Sequence, residues 1–129
     1  MTRLEMKIKL DKPICSQIHL DKIIMGPYAL KPKKPIGYHC ATTRDEISIS
    51  CNVEPENDSI MPENIIESLI ACKTPISIVF TKTKNEPCIN HIAEIEFLVP
   101  DMFDGGPKSI GIDKDLCEQI NIQYVTDQN

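Results

Sequence analysis

The chain has 129 residues, a single-domain length, and its 41% hydrophobic and 26% charged residues match an ordinary globular protein, not a disordered one. A net charge of −5 excludes a field that draws nucleic acid to the whole surface, so any such contact needs a local basic patch. Aromatics are only 5%, tryptophan is absent and isoleucine dominates the apolar set, so the core must be built mainly from β-branched aliphatics, which favour sheet over helix.

One domain over residues 1–129 is expected. No window approaches the roughly 18 apolar residues that cross a bilayer, and the opening MTRLEMKIKL lacks a signal-peptide core. A cytoplasmic protein without a membrane partner follows as the expectation, with its six cysteines as reduced thiols. In chain order, Met6 to Leu10 alternates as a half-buried strand, and Asp11 then caps a short helix over Pro13 to Leu20. Asp21 to Met25 reads as a helix extension or a second strand, stopped by Gly26-Pro27. Lys31 to Pro35 is a basic, proline-broken loop. Ile36 to Val53 reads as a hairpin turning near Thr43 to Asp45, with strict alternation through Ile47, Ile49 and Cys51. Glu54 to Asp58 is an acidic loop, and a helix over Glu63 to Cys72 presents Ile65, Ile66, Leu69 and Ile70 on one face. Ile76 to Thr81 and Ile92 to Val99 are strands, Pro100 to Pro107 is a surface loop, and Ser109 to Ile122 reads as strand, cap and short helix. The fold class is therefore α+β and β-rich: a small barrel or an antiparallel sheet with two or three short helices.

KIKLDKPICSQIHL at Lys7 to Leu20 and SIGIDKDLCEQINI at Ser109 to Ile122 align at an offset of 102 residues. Ile8, Asp11, Lys12, Cys15, Gln17 and Ile18 meet Ile110, Asp113, Lys114, Cys117, Gln119 and Ile120. Met61 to Ile65, midway, is a candidate third copy of a strand-cap-helix unit, with Leu69 opposite Ile18 and Ile120.

This unit resembles the strand-turn-helix element of AbrB-type swapped-hairpin regulators and related double-psi barrels, with Ser109 to Ile122 the best copy. The resemblance implies a small barrel and a regulator of the phage or plasmid kind that binds nucleic acid or protein. A second resemblance uses Ile18-His19-Leu20-Asp21-Lys22-Ile23-Ile24, which is similar to a segment near the start of RAMP-type CRISPR RNA-binding subunits. That likeness implies a ferredoxin-like fold with Leu20 to Met25 in its first helix, and either such a subunit or a mimic that blocks one.

Lys31, Lys33 and Lys34 in one loop and Lys82 and Lys84 in another would form a basic rim for phosphate if the two loops converge, with Tyr28 and Tyr38 available to stack on bases. The competing reading of these lysines is solvated charge that discourages edge pairing. Cys88-x-x-His91 and His39-Cys40 are the candidate zinc ligands, although neighbouring His39 and Cys40 on a strand point to opposite faces. No phosphate loop, metalloprotease motif or nucleophile elbow is present. Glu94, Glu96 and Asp101 alternate as on a solvated sheet face. The expectation is a non-enzymatic binding or regulatory protein without a cofactor, engaging nucleic acid or a partner protein and able to form a homodimer. A small zinc enzyme built on His39, Cys40, Cys88 and His91 is the remaining alternative.

Overall fold

Alternation of apolar and polar residues organises most of the chain, as the isoleucine-rich composition requires. The computed structural model describes residues 2–13, 17–57, 65–82, 92–100, 107–112 and 120–126. Among these are nine strands, β1 (Thr2–Leu10), β2 (Ile18–Met25), β3 (Tyr28–Pro32), β4 (His39–Thr43), β5 (Glu46–Pro55), β6 (Ile76–Lys82), β7 (Ile92–Pro100), β8 (Pro107–Gly111) and β9 (Asn121–Thr126), with one helix, α1 (Ile65–Ala71). All nine strands join one sheet in the order β8-β7-β1-β5-β3-β2-β6-β9, and β4 also pairs with β5. The sheet curls into an open half-barrel. Its pairings are antiparallel except β6 with β9, which run parallel.

The core lies on one face. Leu4, Met6, Ile8 and Leu10 of β1, Ile47, Ile49, Cys51 and Val53 of β5, Ile78 and Phe80 of β6 and Ile95 and Phe97 of β7 are all buried, and Ile66 and Ile70 of α1 join the same cluster. Each fully buried Ile, Leu or Phe contributes about 1.5–3 kcal/mol. The other face carries the polar positions, such as Lys7, Lys9 and Glu94, which are exposed.

Two tight turns set the hairpins. Gly26 and Pro27 join β2 to β3, and Gly26 takes a φ of 58°, which glycine adopts at no steric cost in primed two-residue turns. Arg44 and Asp45 join β4 to β5, with Arg44 at a φ of 50°.

Several expectations are corrected. One helix is present among the described residues, not two or three. Ile18 to Leu20, the end of the helix expected over Pro13 to Leu20, instead open β2, and residues 14–16 lie outside the described residues. β2 continues through Asp21–Met25, the strand alternative for that segment and not the helix that the CRISPR-subunit resemblance implied over Leu20–Met25. The pairing of β2 with β6 carries a bulge between Leu20 and Lys22. The bulge inserts one residue, so buried Leu20 and Ile23 stand three apart and imitate helical spacing. At the other end of the chain, Asn121 and Ile122, taken as the end of a helix, open β9; residues 113–119 of that segment lie outside the described residues. The expected hairpin from Ile36 starts only at His39. Residues 101–106 of the expected surface loop lie outside the described residues.

The 102-residue offset links β1 and β2 to β8 and β9. Both β1 and β8 flank β7, and both β2 and β9 flank β6. Yet β2 is antiparallel to β6 and β9 is parallel to it, so the two copies differ in direction and the match is not a repeated structural unit. The midway copy differs further, because its Leu69 lies in α1 where the others lie in or beside strands.

Candidate binding loop

The basic loop is a product of sheet register. Strands β3 and β4 lie end to end along the same side of β5, with Pro32 opposite Val53 and His39 opposite Ser50. Two residues of β5 separate those partners, Cys51 and Asn52, while residues 33–38 supply six. The excess must leave the ladder as a loop.

That loop is tied down from several sides. Lys33 N donates to Asn52 O at 2.8 Å, a last ladder bond, and Tyr38 N donates to Pro35 O at 3.3 Å. Arg3, opposite Asn52 on β1, donates from Nη1 to Gly37 O at 3.0 Å. The same guanidinium is fixed from behind, donating from Nη2 to Ser50 Oγ at 2.5 Å and lying 3.6 Å through Nε from Glu5 Oε1. Ser50 Oγ in turn donates to Glu5 Oε1 at 3.1 Å. Gly37 has a φ of 74°, so its conformation is one that L side chains rarely adopt. The Lys34–Pro35 peptide bond is cis.

Tyr38 closes the loop onto β2. Its hydroxyl accepts a hydrogen bond from Leu20 N at 3.0 Å, and its ring lies 6.4 Å from that of His19. Two residues on, Cys40 Sγ donates to Ile18 O at 3.7 Å. Side chains thus replace ladder bonds where β4 runs beside the first turn-free residues of β2. Burial pushes the Tyr38 hydroxyl well above its ordinary ionisation range, against the smaller opposing effect of the Leu20 hydrogen bond. It acts as a neutral acceptor.

The candidate lysines are placed differently from one another. Lys31 Nζ is 3.6 Å and Lys22 Nζ 3.8 Å from Glu56 Oε1, while Lys33 Nζ is 3.4 Å from Glu54 Oε2. Lys34 is exposed, with Nζ 4.7 Å from the centre of the Tyr38 ring. Between Lys34 and Tyr38, Ile36 is 87% exposed. Lys82 ends β6 opposite Ile18, whereas Lys31 follows Leu30, which is opposite Ile23. Strand spacings then put Lys82 on the order of 16 Å from Lys31, so these two do not form one rim. Lys84 lies outside the described residues. Tyr28 starts β3 and packs against the core, on the face opposite Lys31 by strand alternation.

Of the metal candidates, His39 stands opposite Ser50 and is exposed, while Cys40 stands opposite Ile49 and is half-buried, so the two diverge. Cys88 and His91 lie outside the described residues. Among the described residues no group of three or more His, Cys, Asp or Glu side chains is placed to hold a metal. Burial raises the Cys40 thiol and pushes that of Cys51 up to about 11, which disfavours the nucleophilic thiolate at these two positions.

A groove of about 380 Å³ crosses the polar face of β1 and β7, walled by Lys7, Lys9, Glu46, Glu94 and Glu96 beside Gly111. Lys7 faces Glu96 and Lys9 faces both Glu94 and Glu46 across the strands. Buried Ile95 and Phe97 alternate with these acids, as on a one-sided sheet. Asp101 lies outside the described residues.

Ile36 and Arg3 were not singled out by sequence. The signal for Ile36 was its place between Pro35 and Gly37, where a turn removes it from any buried strand face. Arg3 carried none, since its reach to Gly37 depends on the pairing of β1 with β5. Comparison of the chain with protein-family models, curated proteins and solved structures returns no match.

Proposed function

We propose that the chain is a non-enzymatic binding protein whose contact surface is the loop 33–38 between β3 and β4. The observation that carries this reading is Ile36, 87% exposed at the tip of a loop held by Arg3, Asn52 and Tyr38. A single exposed aliphatic residue is ordinary on a protein surface. One on a pre-ordered loop differs, because the entropy of fixing the loop is already spent in the free protein and need not be charged to binding. Burying Ile36 in a partner then recovers about 1.5–3 kcal/mol, the scale of an interface hot spot.

The test is affinity purification of the tagged chain from the cells that express it, as wild type and as Ile36→Asp, each with and without nuclease. The expected result is a stoichiometric component lost from the Ile36→Asp sample. Identical components in both samples would refute the loop as the contact surface.

A further inference from the structure

The charges around Ile36 narrow the chemistry of what it meets, and this step rests on the binding role of the loop. Lys31 and Lys33 are each within 3.6 Å of a carboxylate, from Glu56, which Lys22 shares, and from Glu54 respectively. A phosphate approaching either lysine would meet that carboxylate as well, and its repulsion would offset much of the attraction. Lys34 differs. Its ammonium lies over the face of Tyr38 and has no carboxylate within 4.0 Å among the described residues. The loop therefore offers one exposed aliphatic side chain and, two residues before it, one cation that no carboxylate of the described residues pairs. Nucleic-acid surfaces draw their affinity from several free cations, each releasing a counterion.

We infer that the loop fits an apolar socket on a partner protein, with a carboxylate at the socket rim that receives Lys34. Ile36 supplies the anchor and Lys34 the orientation. Behind them Lys33 meets Glu54, and Lys22 and Lys31 share Glu56, so the charge there is partly offset and keeps a positive excess that also favours an acidic rim.

A random-peptide phage library panned against the intact chain, with counter-selection on Ile36→Asp, provides the test. Selected peptides are then measured by fluorescence polarisation against wild type, Ile36→Asp and Lys34→Gln, beside single-stranded RNA and duplex DNA at low salt. The expected peptides carry an apolar cluster bordered by Asp or Glu. Their binding falls about thirtyfold with Ile36→Asp and about threefold with Lys34→Gln, and neither nucleic acid binds through the loop. Peptides that depend on Ile36 but lack acids, or ignore Lys34→Gln, would overturn the acidic rim and leave the binding loop standing. RNA or DNA binding abolished by Ile36→Asp or Lys34→Gln would overturn the protein partner and also leave the loop standing. Absence of any Ile36-dependent ligand would overturn both.

Discussion

Tyr38→Phe removes one oxygen atom and nothing else, so its cost can be worked from a single contact. The hydroxyl accepts from Leu20 N at 3.0 Å, and Leu20 is fully buried. Phenylalanine keeps the ring and the contact with Lys34, but leaves the Leu20 N–H without that acceptor beside the bulge in β2. An unmet buried donor costs about 1–3 kcal/mol. The site is only part-buried, so water takes some of the load and the expected loss is about 1–2 kcal/mol. For a chain of 129 residues this corresponds to a fall in Tm of roughly 3–8 °C. Urea unfolding followed by circular dichroism should show a lower midpoint at unchanged slope, and the Leu20 amide should exchange faster with deuterium. Tyr28→Phe is the control, expected to stay within about 0.5 kcal/mol. An unchanged midpoint together with an equally protected Leu20 amide would refute the argument that Tyr38 closes the loop onto β2.

Gly26→Ala should destabilise by about 2 kcal/mol, part from a φ of 58° and part from a Cβ placed 2.6 Å from Thr74 Cγ2. Adding Thr74→Ser, which removes that methyl, should return about half of the loss; no recovery would assign the whole cost to the backbone. Alkaline pH should destabilise the protein through Cys51, whose thiol burial pushes from an ordinary 9.0 up to about 11. Because the folded state keeps the proton that the unfolded chain releases, this contribution is complete below about pH 9 and is lost as pH rises to about 11, amounting to roughly 2–3 kcal/mol. Urea unfolding across that range should show a shallower loss in Cys51→Ala than in wild type, and equal slopes would contradict the assignment. Ile36→Asp should leave stability within about 0.5 kcal/mol, since the side chain is 87% exposed, and a large fall in Tm would mean that Ile36 packs within the fold.

The strands that sequence located were those where period-two alternation runs unbroken, above all β5, whose Ile47, Ile49, Cys51 and Val53 all face the core. The β4–β5 turn was legible from the polar Arg44-Asp45 step. β2 was legible only in part, its Asp21 to Met25 segment reading as a helix extension or a strand, because its bulge breaks the period and gives Leu20 and Ile23 helical spacing. β9 was hidden by a local match to the N-terminal segment, although Ile122 and Tyr124 already alternate with Asn121, Gln123 and Val125. At the loop, composition drew attention to Lys31, Lys33, Lys34 and Tyr38. It was blind to Glu54 and Glu56 as their partners, because Lys33 meets Glu54 and Lys31 meets Glu56 only through the register of β3 on β5. Ile36 was assigned to a strand that begins three residues later, at His39.

The central claim, that the loop 33–38 is where this protein meets its partner, is tested most directly by a photoactivatable diazirine side chain at position 36. A second sample carries the same group at Ser68, an exposed position on α1. Irradiation in the cells that express the chain should give a discrete, nuclease-resistant adduct from position 36 and none from position 68. No adduct from position 36, or the same adducts from both positions, would contradict it.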